Sequence, residues 1–370
     1  MKKKLYRSRD DKIIKIGGAG ISGLTSAIVL AKAGYKVKVY EKNTDVGERF
    51  NEDFQGIMNW GFKEDILDYM IRIGLKTDFW KKEMASIDVF GSDEHQYSFK
   101  TKKPFCYLVQ RGKSKKCLEQ SLKEQAFEVG VEIIFNNAVS ENDVDIVATG
   151  PKFDGVIDGL VSGYTFETDS QDKFAILFDD DYAYNGYSYC LINNGHGTVA
   201  TCIFGNYKRA NDYLEKTYNF FMKNYNFKVK SKRRFAGTGN FHLLSNTKKR
   251  YVGEAGGFQD FLWGFGMRYA IITGNLAARS IIEKKEYKEL WTKELSGLLE
   301  TSISARLLFS LLGDKTYKLF IKFLSKKKDP VEILTKAYNP TILSRLVYPF
   351  SKIYLRKYIK DRSNKEFNNK

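Results

Sequence analysis

Three glycines near the start of the chain have a spacing that can bring a phosphate group against the backbone. Gly18, Gly20 and Gly23 match G-x-G-x-x-G within the sequence GGAGISG. In this pattern the first glycine permits a tight turn, the second leaves room for a pyrophosphate, and the third lets a helix approach a strand. The glycines therefore indicate a diphosphate site at the start of a helix. Taken alone, the same spacing also fits a turn that binds nothing.

An acidic side chain follows at a distance suited to a ribose. Glu41 lies 18 positions after Gly23 and directly follows the apolar run Val37 to Tyr40. A carboxylate at the end of such a strand can accept hydrogen bonds from ribose hydroxyls. It favours FAD or NAD over NADP, since NADP carries a phosphate at that position.

The elements around these residues must place the turn between a strand and a helix. Residues 13–16 form a short isoleucine-rich run, residues 24–33 have a helical pattern that Gly34 ends, and residues 37–40 alternate as a second strand. The glycines thus lie in a strand, turn, helix, strand unit. This context predicts a Rossmann-type dinucleotide-binding unit over about the first forty residues.

Three later segments have features that bear on the cofactor. Arg111 precedes a helical pattern that ends at Gly130 and leads into an apolar strand, and residues 144–150, VDIVATG, form a short strand that ends in a turn. Residues 253–267, GEAGGFQDFLWGFGM, link a strand to a helix through a glycine-rich turn. The positions of interest in this last segment are Gly253, Glu254, Gly257, Gly264, Gly266 and Met267.

The order of these segments resembles the glutathione-reductase-type FAD superfamily, in particular the branch of aromatic hydroxylases, flavin halogenases and geranylgeranyl reductases. The resemblance implies FAD as the cofactor, with Arg111 in contact with it and Glu254 on the ribityl hydroxyls. It also implies that Arg49 reaches a phosphate or the adenine, and that the helix from Met267 stabilises negative charge on the reduced flavin. Glu254 and Phe261 depart from the aspartate and proline of the family fingerprint. Arg111 could instead be a surface residue that caps a loop.

The pattern changes between Gly150 and Thr247. Short runs rich in aromatic and β-branched residues alternate with turns, notably NNGHG at residues 193–197. We expect an α/β chain in which an antiparallel-sheet substrate domain, residues 151–247, interrupts an FAD-binding domain made of residues 10–150 and 248–284. The predicted strands are residues 164–168, 174–178, 186–192 and 198–204.

The amino-acid sequence of this predicted sheet resembles that of geranylgeranyl reductases most. GYTFET at residues 163–168 and GYSYCLINNGHGTVATCIFG at residues 186–205 are similar to that family's strand, turn and strand. Tyr189 stands at the family's tryptophan position, so the motif does not specify a substrate. Candidates for a substrate wall are Tyr187, Tyr189 and Trp60. Alternatively, the two tyrosines only pack within the sheet, and Trp60 only packs a rigid loop over residues 46–62.

Cysteine and histidine usage gives no indication of a metal site. The four cysteines form no C-x-x-C pair and the three histidines have no ligand spacing. A disulfide framework is equally unsupported, which makes a reducing cytoplasm the default compartment. No apolar stretch approaches the roughly 20 residues needed to cross a bilayer.

The last part of the chain, residues 285–370, has a helical pattern and a strong positive charge. Residues 315–370 hold fifteen Lys or Arg and four Asp or Glu. An apolar face beside clustered cations suits a helix at a membrane interface, and a helical cap on the substrate domain is the alternative. Nucleic acid is disfavoured because no groove-reading motif is present.

The resemblance implies an FAD-dependent oxidoreductase that reduces a carbon–carbon double bond of a hydrophobic, isoprenoid-like substrate. No second G-x-G-x-x-G marks a separate nicotinamide domain, and the sequence does not distinguish transient binding of NAD(P)H from a ferredoxin-type protein as the electron donor. A flavin monooxygenase is one alternative, for which Asp154 and Gly155 are the nearest match to the hydroxylase D-G motif. A non-redox cyclase or lipid-binding protein is another. No catalytic residue can be named from the sequence.

Overall fold

A five-stranded parallel sheet carries the glycine-rich turn. In this computed structural model, which describes residues 12–151, 158–239, 248–342, 344–351 and 353–355, every strand pair of the sheet is parallel. The predicted strand, turn, helix, strand unit is confirmed. In chain order the strands are β1 (Ile14–Gly17), β2 (Val37–Tyr40), β8 (Glu132–Ile134), β9 (Ile146–Val147) and β15 (Arg250–Tyr251), and their spatial order is β15-β9-β1-β2-β8.

A second, seven-stranded sheet forms the other lobe and confirms the predicted antiparallel sheet. Its strands are β5 (Ser86–Phe90), β6 (Gln96–Lys100), β10 (Gly159–Thr168), β11 (Lys173–Leu177), β12 (Tyr187–Asn193), β13 (His196–Ile203) and β14 (Val229–Gly239), in the order β14-β10-β13-β12-β11-β5-β6. All pairs are antiparallel except β11 with β5. The turn of the β12–β13 hairpin has positive φ at Asn194 and Gly195, as a tight hairpin requires.

Two strands of this second sheet come from an unexpected part of the chain. β5 and β6 lie within residues 10–150, which the sequence pattern had placed in the nucleotide-binding domain. β5 pairs instead with β11, as Ala175 lies opposite Asp88 and Leu177 opposite Phe90, and β6 pairs with β5 at the edge of the sheet. Short strands contain no local signal of the sheet that they will join, because their partner is set by tertiary packing.

A third sheet has three strands, which alternate in sequence with strands of the other two sheets. It consists of β3 (Phe54–Met58), β4 (Lys81–Met84) and β7 (Cys106–Gln110), with β7 in the centre. The prediction of a loop over residues 46–62 is therefore wrong for residues 54–58. Their backbone groups pair with β7, about fifty positions later in the chain, and this pairing leaves no local pattern.

Helices cover the parallel sheet and extend the chain beyond it. The helices are α1 (Ile21–Lys32), α2 (Ile66–Arg72), α3 (Leu118–Glu128), α4 (Ala210–Tyr225), α5 (Met267–Ile282), α6 (Tyr287–Leu312), α7 (Asp314–Ser325) and α8 (Pro330–Ala337). α1 and α5 approach each other closely: the hydroxyl of Ser26 donates to the carbonyl of Gly274 at 2.9 Å. A Cβ at Gly274 would lie 2.5 Å from the carbonyl oxygen of Ser22, so this crossing needs the glycine.

The C-terminal helices pack on both lobes. α6 reaches the second lobe through Arg306, whose guanidinium donates to the carbonyls of Leu262 and Asn185. α7 packs against β5 and β6, where Ile321 and Leu324 join a small apolar cluster with Val89 and Phe99. Gly313, whose φ is positive, separates α6 from α7. Within the described ranges, no helix combines the length and apolarity needed to cross a membrane.

Candidate functional site

A continuous cavity of about 1260 Å³ links the glycine-rich turn to the C-terminal helices. Small-molecule sites usually occupy about 300–1,000 Å³, so this cavity has room for a large ligand and a second molecule. It is lined by the carboxyl ends of the parallel strands, by the inner face of the seven-stranded sheet, and by α7 and α8. The carboxyl edge of a parallel sheet is where such folds bind ligands.

The three glycines of the first turn differ in what surrounds them. Gly18 has a φ of +102°, and a Cβ there would lie 2.2 Å from the carbonyl oxygen of Ala148. A Cβ at Gly23 would lie 2.0 Å from the carbonyl oxygen of Gly18, whereas one at Gly20 would meet nothing within 4 Å. Gly18 and Gly23 are thus needed for packing, and Gly20 leaves open space beside the start of α1. This space fits the phosphate group that the sequence predicts.

Glu41 is held beside that turn by two backbone donors. Its Oε2 accepts from the N–H of Ala19 at 2.8 Å, and its Oε1 accepts from the N–H of Asn43 at 3.0 Å. The carboxylate is buried and borders the cavity at the end of β2. Each oxygen has a second lone pair, so the fixed carboxylate can still accept from ribose hydroxyls.

Arg49 and Glu254 form an ion pair at the cavity wall. Nη1 of Arg49 lies 2.7 Å from Oε2 of Glu254, although the two residues are 205 positions apart in the chain. The nearby carboxylate of Glu254 raises the pKa of Arg49. Gly253 and Glu254 begin a short 3₁₀ turn between β15 and α5, and the N–H of Gly253 donates to Oγ1 of Thr273 at 2.9 Å. The loop after β2 and the second glycine-rich segment therefore meet at one site.

Arg111 is buried and is not a surface cap. Its Nε donates to Glu119 in α3, and its Nη1 donates to Oε1 of Gln55 at 2.8 Å. The guanidinium also lies 3.8 Å from the centroid of the Phe50 ring. All four of these residues border the cavity, so Arg111 presents an oriented, neutralised cation to it.

The second glycine-rich turn brings the start of α5 to the cavity. Gly264 has a φ of +80°, a conformation that favours glycine, and Gly266 is the residue that precedes the helix. Gly264, Gly266 and Met267 all border the cavity. The positive end of the α5 dipole therefore faces the space beyond Glu254, where it can stabilise negative charge.

A buried carboxyl that sequence reasoning missed fixes this turn. Asp260 is fully buried; its Oδ2 accepts from the N–H of Trp263 at 2.7 Å and its Oδ1 from the hydroxyl of Tyr338 at 2.9 Å. Burial raises the pKa of Asp260 to about 6. The one signal in the sequence is an acid among aromatic residues, in FQDFLW, and its partner Tyr338 lies 78 positions away.

The three candidate substrate residues all border the cavity. Tyr187 and Tyr189 project from β12, and burial raises the pKa of both phenols, which keeps them neutral. The hydroxyl of Tyr187 donates to the carbonyl of Trp263 at 2.7 Å, and Trp60 meets the Phe265 ring edge to face. The sequence did not indicate three further wall residues, namely Phe178, Cys202 and Trp263.

The far end of the cavity is apolar and is closed by the C-terminal helices. α7 supplies Phe320, Ile321 and Leu324, and α8 supplies Val331 and Leu334. The predicted helical cap on the substrate lobe is thus present in the structure. An apolar chamber of this kind suits a hydrophobic ligand.

Metal chemistry has no visible site in the part of the chain that the structure describes. There, no group of three or more His, Cys, Asp or Glu side chains is arranged to hold an ion. Burial raises the pKa of the Cys202 thiol to about 12, so this cavity residue is a neutral thiol. Asp154 and Gly155, the candidate hydroxylase motif, lie outside the described residues.

Comparisons with known proteins agree with this geometry. Residues 16–72 match the family model of the NAD(P)-binding Rossmann-like domain, and a search of curated proteins finds no match. A geranylgeranyl bacteriochlorophyll reductase-like protein from Thermoplasma acidophilum is 14% identical with a TM-score of 0.66, covering 95% of this chain and 100% of its own.

Two further solved structures show how widely the fold is shared. A flavoprotein/dehydrogenase from Cytophaga hutchinsonii is 13% identical with a TM-score of 0.59, over 96% of this chain and 100% of its own. The p-nitrophenol 4-monooxygenase of Pseudomonas putida is 15% identical with a TM-score of 0.54, over 95% and 98%. The chain therefore contains an FAD/NAD(P)-binding Rossmann domain and has the overall fold of FAD-dependent oxidoreductases.

Proposed function

We propose that this protein is an FAD-dependent oxidoreductase that reduces a carbon–carbon double bond of a hydrophobic, isoprenoid-like substrate. The observation that supports the proposal most is the continuity of the cavity. Its polar end begins at Gly20 and Glu41, and its apolar end is closed by α7 and α8. A dinucleotide and an apolar molecule could therefore occupy one space, with their reactive parts meeting near the tyrosines of β12.

The residues of the polar end have the chemistry that FAD requires. The turn at Gly20 with the start of α1 would hold the pyrophosphate, and Glu41 would hold the adenosine ribose. Glu254 would accept from the ribityl hydroxyls, and the start of α5 would stabilise charge at the pyrimidine end of the ring. Bound FAD supplies hydride chemistry that side chains cannot perform.

The residues of the apolar end would orient the substrate and exclude water. Phe178, Tyr187, Tyr189 and Trp263 form an aromatic wall, and the neutral phenols add no charge to the chamber. Reduction would add one hydride and one proton across the double bond, and two electrons from NAD(P)H or from a ferredoxin-type protein would be needed for each further turnover. An apolar wall keeps water from the hydride donor.

The first test is cofactor binding by the purified full-length chain. We expect a visible flavin spectrum and one FAD released per chain on denaturation. Glu41→Ala should lower FAD affinity by at least tenfold, because it removes the fixed acceptor at the ribose and frees two backbone N–H groups. A wild-type protein that takes up no flavin would end the proposal.

The second test identifies the reaction. Anaerobic protein reduced with dithionite is incubated with a geranylgeranyl lipid, and mass spectrometry should show the gain of two hydrogen atoms per double bond. A monooxygenase, which the shared fold also supports, would instead consume oxygen with NAD(P)H and add an oxygen atom to its substrate. A product of unchanged mass would indicate a cyclase, and retention of the unchanged lipid a binding protein.

A further inference from the structure

Exposed apolar side chains are concentrated in the C-terminal helical region. Of the twelve large hydrophobic residues that are exposed in the described ranges, nine lie between residues 308 and 354. Single exposed hydrophobics are common on soluble proteins, but a contiguous group marks an interaction site. The nine are Leu308, Leu311, Leu319, Phe323, Ile342, Leu346, Phe350, Ile353 and Tyr354.

α7 is apolar on two opposite faces. Its inner face places Ile321 and Leu324 in the cavity wall, where they are 3% and 7% exposed. Its outer face carries Leu319, 70% exposed, and Phe323, 48% exposed, one helical turn apart. Packing inside the protein explains the inner face and leaves the outer face unexplained.

The helical residues 344–351 show the reverse of the usual burial pattern. Ser344 and Ser351 are buried, and the hydroxyl of Ser304 in α6 donates to the carbonyl of Ser344 at 3.0 Å. Leu346 and Phe350, at helical spacing, are 65% and 72% exposed. Ser344 and Ser351 therefore face the protein together with the half-buried Tyr348, while Leu346 and Phe350 face outward.

Cations adjoin the exposed apolar residues. Lys322 and residues 326–328, all lysine, are exposed at the end of α7, and Nζ of Lys327 lies 4.6 Å from the centroid of the Phe323 ring. Among the described side chains, no carboxylate forms an ion pair with residues 326–328. Exposed apolar side chains next to exposed lysines are typical of a helix in a lipid interface.

We propose that the outer face of α7, together with the exposed apolar residues of the helical segment 344–351, binds the surface of an anionic lipid bilayer. Leu319, Phe323, Leu346 and Phe350 would enter the headgroup and acyl boundary, and Lys322 with residues 326–328 would contact acidic headgroups. Charge complementarity selects this occupant over another apolar protein face, because residues 315–370 hold fifteen basic and four acidic side chains. The proposal concerns the surface alone and holds whatever reaction the cavity performs.

Vesicle binding by the full-length protein tests the proposal. We expect sedimentation with vesicles of phosphatidylglycerol and phosphatidylcholine, and much weaker binding to phosphatidylcholine alone or at high salt. Replacing residues 326–328 with alanine should weaken binding to the anionic vesicles roughly a hundredfold, at about fivefold per cation. The pair Leu319→Ser and Phe323→Ser should weaken it at least tenfold.

Matched control variants test whether vesicle binding depends on this face or on any exposed apolar side chain. Ile71→Ser and Phe127→Ser remove exposed apolar side chains on α2 and α3 and should bind vesicles as the wild type does. Equal vesicle binding by the α7 variants would overturn the proposal, as would wild-type protein that ignores anionic vesicles. A dimer that the α7 variants dissociate in sedimentation, without vesicle binding, would assign the face to a second copy of the chain instead.

Discussion

The first and third glycines of the nucleotide turn serve the fold, whereas the second faces the ligand space. A Cβ at Gly23 would overlap the backbone of Gly18, but a Cβ at Gly20 would project into the cavity. Gly20→Ala should therefore cost about 1 kcal/mol of stability or less, as expected at a helix N-cap, and still weaken FAD binding at least tenfold. Thermal unfolding of the apoprotein and a flavin titration measure the two effects.

Gly23→Ala is the matched comparison for this residue. Its methyl group would push α1 away from the turn, so we expect several kcal/mol of destabilisation and loss of binding as a secondary result. Gly20→Ala should thus lower FAD affinity with little loss of stability, whereas Gly23→Ala should lower stability first and FAD affinity as a consequence. Unimpaired FAD binding by a stable Gly20→Ala protein would contradict a phosphate at this turn.

The residues whose roles the sequence predicts best are those whose roles follow from a local sequence pattern. Gly18, Gly20, Gly23 and Glu41 belong to one local unit; the structure brings Gly18, Gly20 and Glu41 to the cavity and packs Gly23 against the backbone of Gly18. The role of Asp260 is not predictable in this way, because its partner Tyr338 directly follows α8 and no sequence spacing predicts how that helix packs. Whether each predicted residue touches FAD stays a prediction.

At the scale of elements, Asp260 ties the turn before α5 to the end of α8. A buried carboxyl with a pKa of about 6 holds its proton more tightly in the folded protein than in the unfolded chain, where the pKa is about 4. Its contribution to stability is therefore present below pH 4 and is lost as the pH rises through 6. Asp260→Asn should abolish this loss, on the order of 3 kcal/mol, in denaturant unfolding curves measured from pH 4 to 7.

Tyr338→Phe is the control for this pH dependence. The tyrosine hydroxyl donates to the carboxylate and lowers the pKa of Asp260, which burial raises. Its removal should raise that pKa further and move the loss of stability to higher pH. A wild-type unfolding free energy that stays flat across this range would show that Asp260 is charged in both states.

Strand pairing accounts for most of what the sequence did not predict at this scale. The hairpin of β12 and β13 was recognisable because its turn, at Asn194 and Gly195, is local. β3 and β5 pair with β7 and β11, which lie far along the chain. Alternation of apolar residues predicts that a strand exists, but it does not predict the strand's partner.

At the scale of the whole molecule, the proposed function predicts that the cavity sets the length of substrate that the protein accepts. Leu334 in α8 borders its apolar end. Leu334→Trp should shorten this end and lower kcat/KM for a long isoprenoid by at least tenfold, with smaller effects on a short one. Substrate series assayed with both proteins give the comparison, and FAD affinity should not change, because the nucleotide turn lies at the other end.

Glu332→Trp adds the same bulk to the same helix without reaching the cavity. Glu332 is exposed and pairs with Lys336 on the surface. Its replacement should leave the preference for chain length unaltered. A Leu334→Trp protein that treats long and short substrates as the wild type does would place the substrate elsewhere.

The strand order of the parallel sheet has a consequence for synthesis on the ribosome. β9 gains its outer neighbour β15 only when residues 250–251 have been made, after all seven strands of the other sheet. Until then the growing chain exposes a bare sheet edge, and α5 is not yet present to cover α1. An emerging chain of this kind depends on chaperones or on rapid folding to avoid aggregation. The predicted nucleotide site has most of its residues in the first part of the sequence, yet it is among the last features of the protein to be completed.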